Sequence, residues 1–201
     1  MTARHRNPTL ERRKVAAQIL KGRGDALIVA GLGAPCWDVA AAGDHPLNFY
    51  VWGGMGSAAM VGLGLALAQP KRRVLVITGD GEMLMGLGAF ATIGVQQPRN
   101  LAIVVQDNEH YGETGMQITH TRLGVDLAGV AKAAGFRAAG NVYSAAQLTT
   151  WIPKLYRQPG PVFANIKVTT ARVPLVLPPR DGTILRQRFR AALLGAQADL
   201  E

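Results

Sequence analysis

A chain of 201 residues with 48% hydrophobic content is long enough to bury one well-packed core. Only 17% of its residues are charged, with 24 glycines and 6% aromatics, a balance of a folded, small-residue-rich chain rather than a disordered one, and no aromatic-studded basic stripe accompanies the formal charge of +9 to suggest a nucleic-acid surface. The single cysteine, Cys36, excludes an intrachain disulfide and fits a reducing cytoplasm; the basic N-terminus lacks the apolar core of a signal peptide, and the apolar run Ala58 to Ala68 is too short to span a bilayer.

In chain order, Asn7-Pro8 reads as an N-cap followed by proline at the first helical position, with Leu10, Val15, Ile19 and Leu20 carrying a helix to Gly22. Residues 26–31 (ALIVAG) form a buried strand that runs into the loop Gly31-Leu32-Gly33-Ala34-Pro35. Residues 48–52 make a second strand, Gly53-Gly54-Met55-Gly56 a turn, and Ser57 to Gln69 a helix of small residues. The pattern continues with strand 73–78, helix Glu82 to Val95, strand 101–106, helix 126–134, strand 136–142, helix 144–156 and strand 161–168. Such alternation predicts an α/β fold: a doubly wound, mostly parallel sheet with helices on both faces and ligands beyond the carboxyl ends of its strands.

The Pro-rich segment 172–182 cannot extend a central strand, so it wraps the surface before a last helix, Thr183 to Leu194. The expected division is an N-terminal helix in 1–25, one ligand-binding domain in 26–170, and the Pro-rich segment with its helix in 171–201. Arg4, Arg6, Arg12, Arg13 and Lys14 at one end and Arg180, Arg186, Arg188 and Arg190 at the other carry much of the excess charge. They either steer an anionic ligand or meet an acidic partner, or form a solvated basic surface.

Three segments that follow strands bear the chemistry: Gly53-Gly54-Met55-Gly56, Gly79-Asp80-Gly81-Glu82, and Asp107-Asn108-Glu109-His110-Tyr111-Gly112. In the second, a carboxylate stands beside bare backbone amides, so the amides suit a diphosphate while Asp80 holds a hard cation. In the third, Asn108 ends the next strand and offers an amide oxygen to the same cation, provided the two strands are neighbours.

The triplet Gly79-Asp80-Gly81 followed by Asp107-Asn108 resembles the magnesium and diphosphate signature of thiamine-diphosphate-dependent enzymes. The phrase GDGEMLMGLGAFATIGVQQPRNLAIVVQDN is further similar to the cofactor-binding subunit of sulfopyruvate decarboxylase and to phosphonopyruvate decarboxylase. The resemblance covers residues 27–168 and implies that Asp80, the Asn108 side chain and the His110 carbonyl bind magnesium. It implies that Gly81 and Glu82 give backbone amides to the diphosphate, with Gly79, Gly31 and Gly33 nearby and Tyr111 and Gly112 completing the cofactor loop. Met55 is implied to wedge between the cofactor's rings, and the Gly53 carbonyl, next to Gly54, to accept a hydrogen bond from the aminopyrimidine. Asp107 departs from the commoner Asn.

Thiamine catalysis also needs a glutamate from a pyrimidine-binding domain. The resemblance therefore implies a partner alpha subunit of that type, in a heterotetramer or larger, and no certain catalytic residue in this chain. The implied substrate is a small 2-oxoacid, anionic and three-carbon, although Glu109 and Glu113 add negative charge beside the expected pocket. An acetolactate synthase-like carboligase subunit and a non-catalytic thiamine-diphosphate-binding or regulatory protein are the alternatives.

Blander readings stand beside these. Gly79-Asp80-Gly81 alone is a tight turn. His110 and His120 read as loop histidines satisfied by local polar groups rather than acid–base catalysts; Met83 and Met85, and in one reading Met55, belong to the core; Trp37, Trp52 and Trp151 read as core or interface. Gly54-Met55-Gly56-Ser57-Ala58-Ala59 also fits the dinucleotide fingerprint of an oxidoreductase, but that reading leaves Gly79, Gly81 and Asn108 without a role.

Overall fold

The computed structural model describes residues 8–199. Its elements in chain order are α1 (Arg12–Leu20), β1 (Leu27–Ala30), α2 (Ala34–Ala41), β2 (Asn48–Tyr50), α3 (Ala58–Ala68), β3 (Val74–Gly79), α4 (Asp80–Met85) and α5 (Ala89–Gln96). There follow β4 (Leu101–Asp107), β5 (His110–Tyr111), β6 (Gln117–Ile118), α6 (Leu127–Ala133), β7 (Ala138–Val142), α7 (Ala145–Arg157), β8 (Val162–Lys167) and α8 (Gly182–Leu194). Six strands pair in the order β2-β1-β3-β4-β8-β7, every pair parallel, while β5 and β6 form a separate antiparallel hairpin.

Side chains alternate across a strand, so a sheet covered on both faces needs apolar residues at every position. β1 shows this directly: Leu27 and Val29 join α3, α5 and α6 in one core, and Ile28 and Ala30 join α1, α2 and α7 in the other. α3 lies very close to the sheet because Gly62 faces β3; a Cβ there would stand 2.2 Å from Val76 Cγ2. Phe90, Phe136 and Phe163 fill the same side edge-to-face, with centroids 5.0 to 6.2 Å apart. α7 and α8 begin at the side-chain caps Ser144 and Asp181, and Asp181 accepts from the Thr183 and Ile184 amides at 2.8 and 3.1 Å.

Four expectations are corrected. The first helix starts at Arg12, because Leu10 instead makes a parallel bridge to Val168 and accepts from the Thr169 amide at 2.8 Å; Asn7 lies outside the described residues, as do Arg4 and Arg6. The single helix expected from Glu82 to Val95 is two, since the chain breaks at Gly86-Leu87-Gly88, where a Cβ on Gly86 would lie 2.2 Å from the Gly56 carbonyl oxygen. Met85, at that break, is 68% exposed and not core, whereas Met83 is buried. Finally, Ala34 and Pro35, expected in the loop after the first strand, open α2 with Pro35 in its first turn, and the segment after β4, expected as a loop, folds into the β5–β6 hairpin.

Among the described residues no helix is long and apolar enough to cross a membrane. Of the basic residues near the chain ends, Arg12 and Arg13 pair with Asp38, and Arg188 pairs with Asp44. Lys21, Arg23, Arg73, Arg99 and Arg157 lie where helices end and strands begin, and Arg157 stands in the last turn of α7, a place the helix dipole favours for a cation.

Candidate functional site

β1 leads to β2 on one side and to β3 on the other, so the sheet changes direction between β1 and β3. Parallel sheets open a crevice beyond the carboxyl ends of the strands at such a point. A cavity of about 520 Å³ lies there. The turn after β1 contributes Gly33, the turn after β2 contributes Met55, and the β3–α4 junction contributes Gly79, Asp80, Gly81 and Glu82. The exit of β4 adds Asn108, His110, Tyr111 and Gly112. Gly31, Gly53 and Gly54 are not part of this lining: Gly31 backs onto Glu82, and the Gly54 carbonyl accepts from the Ser57 amide and hydroxyl. The dinucleotide-like segment follows β2, an edge strand, whereas that fingerprint belongs to the strand at the switch point.

β3 and β4 are neighbours with Gly79 opposite Gln106, so Asp80, the first residue after β3, and Asn108, the first after β4 and two past Gln106, both reach the cavity floor. Asp80 is 2% exposed; its Oδ2 accepts from Thr119 Oγ1 at 2.6 Å and Thr121 Oγ1 at 3.4 Å, and no cation pairs with it among the described residues. Burial and the nearby Asp107 push its pKa up to about 7, against the Thr119 hydrogen bond. The Asn108 Oδ1 accepts from the His110 amide at 2.9 Å, and the His110 ring nitrogen Nδ1 lies 2.8 Å from the Asn108 carbonyl oxygen. The His110 ring is thus tied back locally through Nδ1. Tyr111 lies over Gly81, where a Cβ would be 2.5 Å from its ring, so only glycine lets the tyrosine cover the α4 backbone. Met55 is 39% exposed and borders both this cavity and an apolar neighbour lined by Leu84, Met85, Leu87 and Val125; His120 borders only the neighbour.

Glu82 has a side-chain role that its position in the sequence did not announce. Its Oε1 accepts from the Ala58 amide at the start of α3 at 3.0 Å, and its Oε2 is buried without a partner against Gly31. Burial raises its pKa to about 7, although the Ala58, Gly56 and Ser57 amides pull it down. A carboxyl with a raised folded-state pKa stabilises below its unfolded value near 4 and loses that contribution as pH rises to about 7. The ligand-free Glu82→Gln variant is therefore expected to be more stable than wild type by about 1 to 3 kcal/mol at pH 8 and to lose that advantage near pH 4.5. Denaturant melts at the two pH values measure the difference; equal gaps at both would remove Glu82 as the cause.

Beneath Asn108 lies a buried polar network. Asp107 is fully buried; its Oδ1 accepts from Thr121 Oγ1 at 2.8 Å and its Oδ2 from Asn165 Nδ2 at 2.9 Å. Lys167, facing Asp107 in the β4–β8 register, reaches Asp107 Oδ2 at 2.7 Å and Glu109 Oε1 at 2.8 Å. Arg122 binds the other Glu109 oxygen at 3.1 Å. Burial lowers the Lys167 pKa, but Asp107 and Glu109 outweigh it and hold the amine above its usual range. Glu109 is thus neutralised and does not line the cavity. Thr119, Thr121, Asn165 and Lys167 were not anticipated; the one available signal was Asn165 and Lys167 at alternating positions of an otherwise apolar strand.

The residues fit a diphosphate held through a hard cation. A buried carboxylate without a counter-cation is costly unless a metal or proton compensates it, and Asp80 is such a group. Its neighbours offer amide and main-chain oxygens, the donors magnesium accepts while keeping phosphate oxygens and water. Among the described residues no three His, Cys, Asp or Glu side chains gather as a metal site, so the donors here are one carboxylate, one amide and the backbone.

Residues 33–166 match the family described as thiamine pyrophosphate enzyme, C-terminal TPP binding domain. The sulfopyruvate decarboxylase subunit beta of Methanothermobacter thermautotrophicus is 37% identical over 190 residues, 94% of this chain and 99% of that one. The phosphonopyruvate decarboxylase of Streptomyces viridochromogenes is 37% identical over 172 residues, 83% of this chain but 42% of that one. A solved thiamine diphosphate-dependent 4-hydroxybenzoylformate decarboxylase of Rhodococcus jostii superposes with a TM-score of 0.69 at 19% identity, covering 86% of this chain and 35% of the other. With that structure sharing the fold and the family match spanning most of the sheet, the chain belongs to the thiamine pyrophosphate enzymes, in the C-terminal TPP binding domain family.

Proposed function

We propose that the chain is the cofactor-binding subunit of a heteromeric, cytoplasmic thiamine-diphosphate-dependent decarboxylase. Its substrate is an anionic three-carbon 2-oxoacid of the sulfopyruvate or phosphonopyruvate type. The observation that carries this reading is Asp80, a buried carboxylate without a counter-cation, beside Asn108 at the ends of adjacent strands. End-to-end similarity to a protein named sulfopyruvate decarboxylase subunit beta supports the subunit role.

In this reading Asp80, the Asn108 amide oxygen and the His110 carbonyl hold magnesium, and the Gly81 and Glu82 amides hold the diphosphate, with Gly79 and Gly33 beside them. Met55, Gly53 and Gly54 shape the far end of the cofactor, and Tyr111 and Gly112 close over it. Residues 26–170 house the site, flanked by 1–25 and 171–201. Bound thiamine diphosphate supplies the electron sink that lets the 2-oxoacid lose carbon dioxide. Thr119 and Thr121 fix the rotation of the Asp80 carboxylate, and Glu82 locks the turns around it. A pyrimidine-domain alpha subunit supplies the activating glutamate, in a heterotetramer or larger.

Coexpression with a pyrimidine-domain chain, followed by carbon dioxide release from a panel of 2-oxoacids, tests the proposal. Activity of the complex and inertness of either chain alone are expected. A complex that binds thiamine diphosphate yet releases no carbon dioxide from any 2-oxoacid would mark a non-catalytic protein.

A further inference from the structure

One wall of the cavity carries positive charge that neither the fold nor the cofactor site consumes. The Leu10–Val168 bridge and the Thr169–Leu10 hydrogen bond bring the start of α1 beside the exit of β8. Arg12 and Arg172 therefore line the cavity from the same side. Arg12 and Arg13 share a single buried carboxylate, Asp38, at 2.6 and 3.3 Å, so two guanidiniums stand against one countercharge. Arg172 is exposed and has no hydrogen bond or ion pair within the described residues. Around it, Trp37, Val173 and Leu175 make the wall partly apolar, which strengthens the attraction of an anion relative to open water.

Three carboxylates line the same cavity: Asp80, Glu82 and Glu113. Asp80 and Glu82 are held by the threonines and by α3, which leaves Glu113, on the hairpin against Gly33, as the carboxylate that faces across the cavity. A guanidinium presents a planar fork of donors that matches two oxygens of a sulfonate or phosphonate at once. We infer that Arg172, backed by the surplus charge of Arg12 and Arg13 over Asp38, is the receptor for the strongly acidic terminal group of the substrate. This rests on the decarboxylase reading for the identity of the ligand and deepens it by naming the specificity-determining residue.

Calorimetric titration of the complex with its partner subunit, loaded with thiamine diphosphate and magnesium, tests the receptor. The probes are 3-sulfopropanoate and 3-phosphonopropanoate, which lack the ketone and do not react, against propanoate as the control. Arg172→Gln is expected to weaken the acidic probe by about tenfold to a hundredfold, the range of a charge-assisted hydrogen bond, while shifting propanoate less than about twofold. Arg172→Lys should recover part of the loss, and Glu113→Gln should tighten the acidic probe. Whichever of the two acidic probes binds more tightly to wild type identifies the group. Unchanged affinity in Arg172→Gln, or equal weakening of all three probes, overturns the receptor. Carbon dioxide release from 2-oxoacids with an unaffected Arg172→Gln would leave the decarboxylase standing and the receptor fallen. Loss of probe discrimination in a complex that releases none would do the reverse.

Discussion

Replacing Asp80 by Ala should abolish magnesium-dependent retention of thiamine diphosphate, lowering affinity by more than about a hundredfold, since loss of even an outer partner of a metal ligand costs tenfold to a hundredfold. The fold should survive, because the substitution removes a 2% exposed carboxylate that has hydroxyl partners but no counter-cation. Asp80→Asn keeps an oxygen without the charge and should fall between the two. Titration with cofactor, with and without magnesium, alongside a thermal melt of the ligand-free chain, separates loss of binding from loss of structure. An Asp80→Ala protein that retains magnesium-dependent affinity would refute the metal role.

Lys167→Met should cost about 3 to 5 kcal/mol, the range for breaking a buried ion pair from one side. For a chain of this size that corresponds to a melting temperature lower by roughly 6 to 20 °C. The cause is that Asp107, fully buried, and Glu109, 6% exposed, would keep their charges in the interior without the amine that now contacts both. Adding Asp107→Asn should restore about half of the loss, since Arg122 still compensates Glu109. The network also explains how the chain accommodates a buried Asp107: its charge has its own lysine across the β4–β8 pairing. If Lys167→Met melts with wild type, the amine is not what compensates the buried carboxylates.

The centre of the sheet was legible because β1, β3 and β4 are short apolar runs ended by glycine or a polar residue, with helices between them. The residues at the cavity floor were legible for the same reason: Asp80 and Asn108 stand one position past strand ends, where a parallel sheet opens. What escaped were features set by tertiary contacts. The break at Gly86 depends on the approach of Gly56, 30 positions earlier, and the late start of α1 depends on Val168 claiming Leu10. Thr119 and Thr121 escaped because their partners are carboxylates on other elements, and nothing in a loop threonine's neighbours along the chain announces such a bond.

Glu82 joins parts of the chain that are otherwise separate loops: it sits on α4, grips the first amide of α3, and rests against Gly31. The ordering entropy of these segments is consequently settled when the polypeptide collapses, before any ligand arrives. An incoming cofactor meets a receptacle already set in shape, and its intrinsic affinity is not diminished by having to organise floppy backbone.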